Sequence, residues 1–162
     1  MKIGQGWDLH RMSENLTLTL GGVEIESDKG EVAHSDGDVL IHAIIDAILG
    51  ATCNEDIGAK FPDTDPRYKG CSSLELLNIA LSFHPVEIIN LDCTIILQTP
   101  KLRPFIGDIR ASLAKAINVP INRISVKAKT AEHVLGELGS GDAIIAQAIV
   151  LLNQIDEYVT WL

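Results

Sequence analysis

The chain opens on an alternation. In Lys2-Ile3-Gly4-Gln5-Gly6-Trp7-Asp8-Leu9-His10, Ile3, Gln5, Trp7 and Leu9 project to one side and Asp8 and His10 to the other, the period-two pattern of a strand. Residues 16–20 (Leu-Thr-Leu-Thr-Leu) alternate strictly, and Gly21-Gly22 turns them into Val23-Glu24-Ile25, a β-hairpin or a kinked strand. From Asp38 the period changes: Val39, Leu40, Ala43, Ile44, Ala47 and Ile48 recur at helical spacing until Gly50. Positions 54–70 are dense in turn formers and predict a loop. Ser72-Ser73-Leu74-Glu75 starts a second helix to about Phe83, closed by Pro85. Ile88 to Gln98 is β-branched and apolar, a buried strand that Thr99-Pro100 ends. Pro104 to Asn118 predicts a third helix with Ile106, Ile109, Leu113 and Ile117 on one face, and Ile124 to Lys129 alternates as a strand. Asp142 to about Leu152, apolar almost throughout, predicts a last helix. Hairpins mixed with strand–helix units give an α+β class: one mixed sheet with helices packed on one face, plus a short hairpin.

At 162 residues and 46% apolar content, the chain suits a single domain over 1–162 that can bury about 70% of its unfolded surface. Aromatic residues are only 4%, so aliphatic side chains must fill the core. The longest apolar run, Ala143 to Leu152, is half a bilayer span, and no basic-then-apolar leader follows Met1; neither a membrane nor a secretory route is expected. Cys53, Cys71 and Cys93 match neither a disulfide framework nor a zinc CxxC pair and read as free thiols. A net charge of −9 argues against nucleic acid as a partner. Its distribution is uneven: seven of the 13 basic residues lie within 101–129 beside one acid, Asp108, so that segment can face an anion.

Asp8 and His10, two apart on a strand, leave the same face a few ångströms apart, as a metal pair or as part of a solvated face. His42 falls one turn inside the first helix, with Asp38 and Asp46 four residues to either side, either an oriented imidazole or an ordinary core histidine. Two histidines and a carboxylate form a common zinc set with a fourth position open, and Asp38 or Asp46 could accept the other ring N–H of His42. Ser35-x-x-Asp38 also matches a helix cap, and both readings can hold together.

Taken in order, Gly4-x-Gly6-Trp7-Asp8-x-His10, Ala33-His34-Ser35-Asp36-Gly37-Asp38 with His42, Asp56-Ile57-Gly58, Phe61-Pro62-Asp63-Thr64-Asp65-Pro66, Pro100-Lys101, and Lys127-Ala128-Lys129-Thr130 with Glu132 resemble the 2-C-methyl-D-erythritol 2,4-cyclodiphosphate synthases. The resemblance runs from Met1 to about Leu152. It implies a lyase of the non-mevalonate isoprenoid pathway that converts 4-diphosphocytidyl-2-C-methyl-D-erythritol 2-phosphate into the 2,4-cyclodiphosphate and releases CMP. Zn²⁺ would be held by Asp8, His10 and His42, and a second divalent ion, Mg²⁺ or Mn²⁺, by Glu132 at the diphosphate. His34 and Thr130 would hold phosphates in the transition state, His34 assisted by Ser35. Leu9 would line the substrate site beside the zinc ligands.

By the same resemblance Asp56, Ile57 and Gly58, with Phe61, Pro62, Asp63, Thr64 and Asp65, would contact the methylerythritol part. The backbone of Leu97, Gln98, Thr99, Pro100, Lys101, Leu102 and Arg103 would read cytosine, and Lys129, Thr130, Ala131 and Glu132 would face the diphosphate. The partners implied are the small phosphorylated substrate and two further copies, a homotrimer with active sites between subunits, in a bacterial cytoplasm or, for a mature eukaryotic form, a plastid-like organelle. The chain departs from the family's usual pattern at Gln5, at Lys129 and in the absence of any Lys or Arg after Lys129, which leaves no local cation for an anion site on the trimer axis. Two other classes use similar residues: a metal-dependent phosphohydrolase, and a nucleotide-binding trimer without catalysis.

Overall fold

The structure is a computed structural model and describes residues 1–155. In chain order its elements are β1 (Lys2–Glu14), β2 (Leu18–Leu20), β3 (Val23–Ile25), β4 (Lys29–Val32), α1 (Val39–Ala51), α2 (Ile57–Lys60), α3 (Ser73–Ser82), β5 (Val86–Ile96), α4 (Ile106–Ala116), β6 (Ile124–Lys129), α5 (Glu137–Ser140) and β7 (Ala143–Gln154). Five strands form one mixed sheet in the order β4-β1-β7-β5-β6, parallel only between β5 and β6. β2 and β3 make the separate hairpin, joined through Gly21 and Gly22, whose φ of +60° and +75° is the left-handed conformation that tight hairpin turns require. The α+β class and the one-sided helical layer agree with the sequence pattern.

Helix α1 lies between the sheet and α3, which is why eleven of its thirteen residues are buried rather than a single stripe. Asp38 caps its first turn by accepting from the Ile41 N–H at 3.0 Å. The helix packs on the even-numbered side of β1, where Gly4 and Gly6 leave room for it. A Cβ on Gly6 would stand 2.2 Å from the Ala43 carbonyl oxygen, and one on Gly4 1.8 Å from that of Ala47. Strand and helix therefore meet backbone to backbone, and this contact carries His42 over Asp8 and His10. Gly6→Ala is expected to cost at least about 3 kcal/mol, the upper end for overpacking, and to lower the thermal midpoint by roughly 6–12 °C, measurable by calorimetry.

The last element corrects the sequence reading: residues 143–154 are a strand, not a helix. β7 lies at the sheet's centre between β1 and β5, with Ile144, Ala146, Ala148, Val150 and Leu152 fully buried under the helices. Ile145, Ile149 and Leu151 point the other way, so the apolar character of the second face masks the alternation. Ala146 and Ala148 are small where α1 crosses the sheet, which gave the segment its helical composition. Lys29–Val32, which carried no strand signal, pairs with the far end of β1, and the 54–70 loop contains α2 and a 3₁₀ turn at Pro66–Tyr68.

Among the described residues the outer face of the sheet is covered only at one end, where Leu138 of the short α5 packs with Ile96 and Ile145. Ile3, Trp7 and Leu9 of β1 are 72, 59 and 48% exposed there, and Ile149 of β7 is 45% exposed. No helix among the described residues is long and apolar enough to cross a membrane.

Candidate active site

β1 supplies Asp8 and His10 from its helix-facing side, and the first turn of α1 supplies His42. Asp8 Oδ2 lies 3.0 Å from His10 Nε2 and 3.0 Å from His42 Nδ1. The two rings stand edge to face with centroids 5.1 Å apart. One donor atom from each of the three residues falls within 4.8 Å of the others. The remaining ring nitrogens are committed elsewhere. His10 Nδ1 donates to Glu31 Oε2 at 2.6 Å and to the Gly37 carbonyl at 2.9 Å. His42 Nε2 meets the hydroxyls of Ser73 at 3.0 Å and Ser35 at 3.2 Å. Ser73 is in turn fixed by Asp36, which accepts from both its N–H and its hydroxyl.

The charges follow from this enclosure. Burial works against the Asp8 carboxylate, but hydrogen bonds from His10 and His42 outweigh it and hold the group well below the usual carboxylate range. Burial likewise disfavours a charged His10, yet Asp8 and Glu31 raise its pKa to about 10. Burial pushes the Glu31 carboxyl up to about 8 against the pull of His10. Two imidazole nitrogens and a carboxylate oxygen, converging at the base of a cleft with their outer atoms held, fit a borderline divalent cation with room for a further ligand.

Asp38 and Asp46, expected behind His42, serve other partners. Asp38 is fully buried and accepts from Gly22 N–H at 2.7 Å as well as from Ile41, with burial raising its pKa to about 6. Asp46 accepts from Ile57 N–H at 2.8 Å and so ties α2 to α1. A residue four places away on a helix shares a face with His42, but in both cases a nearer backbone N–H takes the carboxylate. The residues that do hold the rings, Glu31, Gly37 and Ser73, are 21, 27 and 31 positions from their partners, and no spacing rule links them.

Around the trio opens a cleft of about 330 Å³, lined by His10, His34, Ser35, His42, Ile57, Gly58, Phe61 and Asp63 among others. His34 is exposed at its wall. Asp56 caps α2 by accepting from Ala59 N–H at 2.8 Å, and Phe61 is buried edge-on to Tyr68. Pro62, Thr64 and Asp65 continue the rim, where Asp65 pairs with Arg67.

The other expected residues lie elsewhere on the chain. Leu97, Gln98 and Leu102 are buried; Thr99, Lys101 and Arg103 are exposed, and the Thr99–Pro100 peptide is cis. Arg103, Lys127 and Lys129 line a separate groove of about 590 Å³. Ala131 is buried, Thr130 donates to the Glu132 carboxylate, and Glu132 and His133 both adopt left-handed φ, of +51° and +58°. Strand pairing fixes the distance between the two groups. Asp8, Ala146, Ile95 and Ala128 lie in one row across the sheet, three strand spacings or roughly 14 Å from end to end. Within one chain the Asp8 cluster and the Thr130–Glu132 turn share the carboxyl-end edge of the sheet but stand on opposite flanks of it.

Comparison with known proteins agrees with this architecture throughout. The YgbB family model matches residues 1–153. The 2-C-methyl-D-erythritol 2,4-cyclodiphosphate synthase of Lachnospira eligens is 47% identical over 98% of this chain and 88% of its own length, and that of Clostridium perfringens is 50% identical over 94% and 99%. A solved structure of such a synthase in a CDP-bound form superposes with a TM-score of 0.87 at 37% identity, covering 94% of this chain and all of that one. With near-full-length identity of this order, the chain belongs to the YgbB family, that of the 2-C-methyl-D-erythritol 2,4-cyclodiphosphate synthases.

Proposed function

We propose that the protein is the lyase that converts 4-diphosphocytidyl-2-C-methyl-D-erythritol 2-phosphate into 2-C-methyl-D-erythritol 2,4-cyclodiphosphate and CMP. The observation that carries the reading is the Asp8–His10–His42 cluster at the base of a cleft, in a chain of this family. An oxygen of the substrate's 2-phosphate forms a bond to the β-phosphorus, the bond from that phosphorus to the bridging oxygen breaks, and CMP leaves. No water is consumed and no protein nucleophile is needed, so the protein's task is positioning and charge.

Asp8, His10 and His42 hold Zn²⁺ in this reading, and Glu132 holds the second ion, Mg²⁺ or Mn²⁺. Bound there, such ions supply Lewis acidity to the phosphates. His34, exposed on the cleft wall with Ser35 beside it, holds the 2-phosphate near its target. The cleft residues Ile57, Gly58, Phe61 and Asp63, with Asp56, Pro62, Thr64 and Asp65, receive the methylerythritol, Asp56 accepting from sugar hydroxyls, while Leu9 lies on the outer face of the sheet, away from the cleft. The 97–103 backbone takes cytosine, and Lys129, Thr130 and Ala131 face the diphosphate.

Neighbouring phosphates cannot span the roughly 14 Å between the two groups of one chain, so we infer that the site is completed by a second copy in a homotrimer. The uncovered apolar face carrying Ile3, Trp7 and Leu9 supports that association. We place the protein in a bacterial cytoplasm, a reading supported by its bacterial relatives and by the absence, among the described residues, of any membrane-spanning helix.

A ³¹P NMR assay with the substrate and Mg²⁺, run before and after chelation, tests the reading. The expected result is a cyclic diphosphate and CMP that form only with metal present. Orthophosphate instead would assign the cluster to hydrolysis, and no turnover with metal restored would leave a binding protein.

A further inference from the structure

Glu31 and Asp38 are the two carboxyl side chains buried among the described residues. Glu31 lies on β4, opposite Met12 of β1, and its side chain is wholly enclosed. Oε2 accepts from His10 Nδ1 at 2.6 Å and from the Val39 N–H at 3.1 Å, at the start of α1. Oε1 has no partner, and among the described residues it is the one buried side-chain nitrogen or oxygen left so. An enclosed carboxyl with an orphan oxygen weakens a fold unless something else compensates. Hydrogen bonding to His10 does not require it. The Gly37 carbonyl already accepts from Nδ1 at 2.9 Å and, being only an acceptor, obliges that nitrogen to carry the proton and leaves Nε2 as the free donor. What Glu31 adds is a second grip on the ring and, opposite a bound cation, negative charge.

We propose that Glu31 is a positioning residue of the metal centre, whose enclosed carboxylate holds the Nδ1–H of His10 and strengthens Nε2 as a donor to a divalent cation. The inference rests on the reading of Asp8, His10 and His42 as metal ligands. A carboxylate behind a ligating imidazole fixes the ring and raises its basicity, and a dication on the far side of the ring compensates the buried charge. His42, backed by the hydroxyls of Ser35 and Ser73, lacks such a charge, so the two histidines are unequal donors. A purely structural Glu31 predicts otherwise: its loss would weaken the fold and leave metal affinity alone.

The test uses the full chain with Glu31→Gln and Glu31→Leu. Zn²⁺ affinity is read by competition with a chromophoric chelator, Co²⁺ coordination by its visible absorption bands, and metal-free stability by the thermal midpoint. Both variants are expected to bind Zn²⁺ about 10–100-fold more weakly and to shift the Co²⁺ bands; without metal, Glu31→Leu melts lower because it strands the Val39 N–H, whereas Glu31→Gln, whose carbonyl can still accept from it, stays near the wild-type midpoint. Glu31→Gln keeps the side chain's shape and carries the test alone if Leu disturbs the packing. Wild-type Zn²⁺ affinity in Glu31→Gln would overturn the proposal while leaving the three ligands in place. If the wild-type protein itself took up no Zn²⁺, the ligand assignment would fall, and this inference with it.

Discussion

His42→Ala is expected to give a folded protein that retains no zinc and has lost turnover by roughly a thousandfold or more, since Lewis-acid stabilisation is worth several kcal/mol and each 1.4 kcal/mol is a factor of ten. His42 is one of three donors within 4.8 Å, and two donors on one strand do not enclose an ion. The fold should survive because α1 is anchored by its aliphatic residues and by Gly4 and Gly6, none of which depends on the imidazole. Metal analysis of the purified variant, with circular dichroism as a check on folding, decides the matter. Zinc content equal to wild type would remove His42 from the ligand set.

Mixing two inactive variants is expected to restore activity. His42→Ala disables the cluster on β1 and α1, and Glu132→Ala disables the turn after β6, which lies on the opposite flank of the same sheet. If each site takes the first group from one copy and the second from its neighbour, random reassembly of an equal mixture leaves about one site in four with both groups intact. Unfolding the two variants together and refolding them should therefore recover about a quarter of wild-type turnover from two preparations that separately show almost none. Recovery indistinguishable from the sum of the parents would mean that each site belongs to a single chain.

The candidate ligand cluster was legible because its chemistry is local. Asp-x-His on a strand fixes two donors on one face, and the helical period after Asp38 places His42 in the first turn. What lies behind the ligands was not legible. Glu31 reaches His10 only because β4 pairs with β1 in a register that sets it opposite Met12, and a four-residue strand with a glycine and two charges gives no periodic signal. Asp38 and Asp46 had the right spacing, yet backbone N–H groups of Gly22, Ile41 and Ile57 took them. The misread β7 shares this cause. A central strand whose outer face is also apolar offers no alternation to count, so ten residues rich in alanine and isoleucine fit either period.

The backbone contact between β1 and α1 bears on which ions the site accepts. Side chains at a packed interface can change rotamer to accommodate a guest, but at Gly4 and Gly6 there are none to move, so the spacing between the strand's two donors and the helix's one is set by main-chain geometry. Such a frame would resist the spreading of its donors to the longer distances that calcium takes. In the proposed metal centre, stiffness would then count beside donor type, favouring a small ion content with four ligands over a larger or more highly coordinated one.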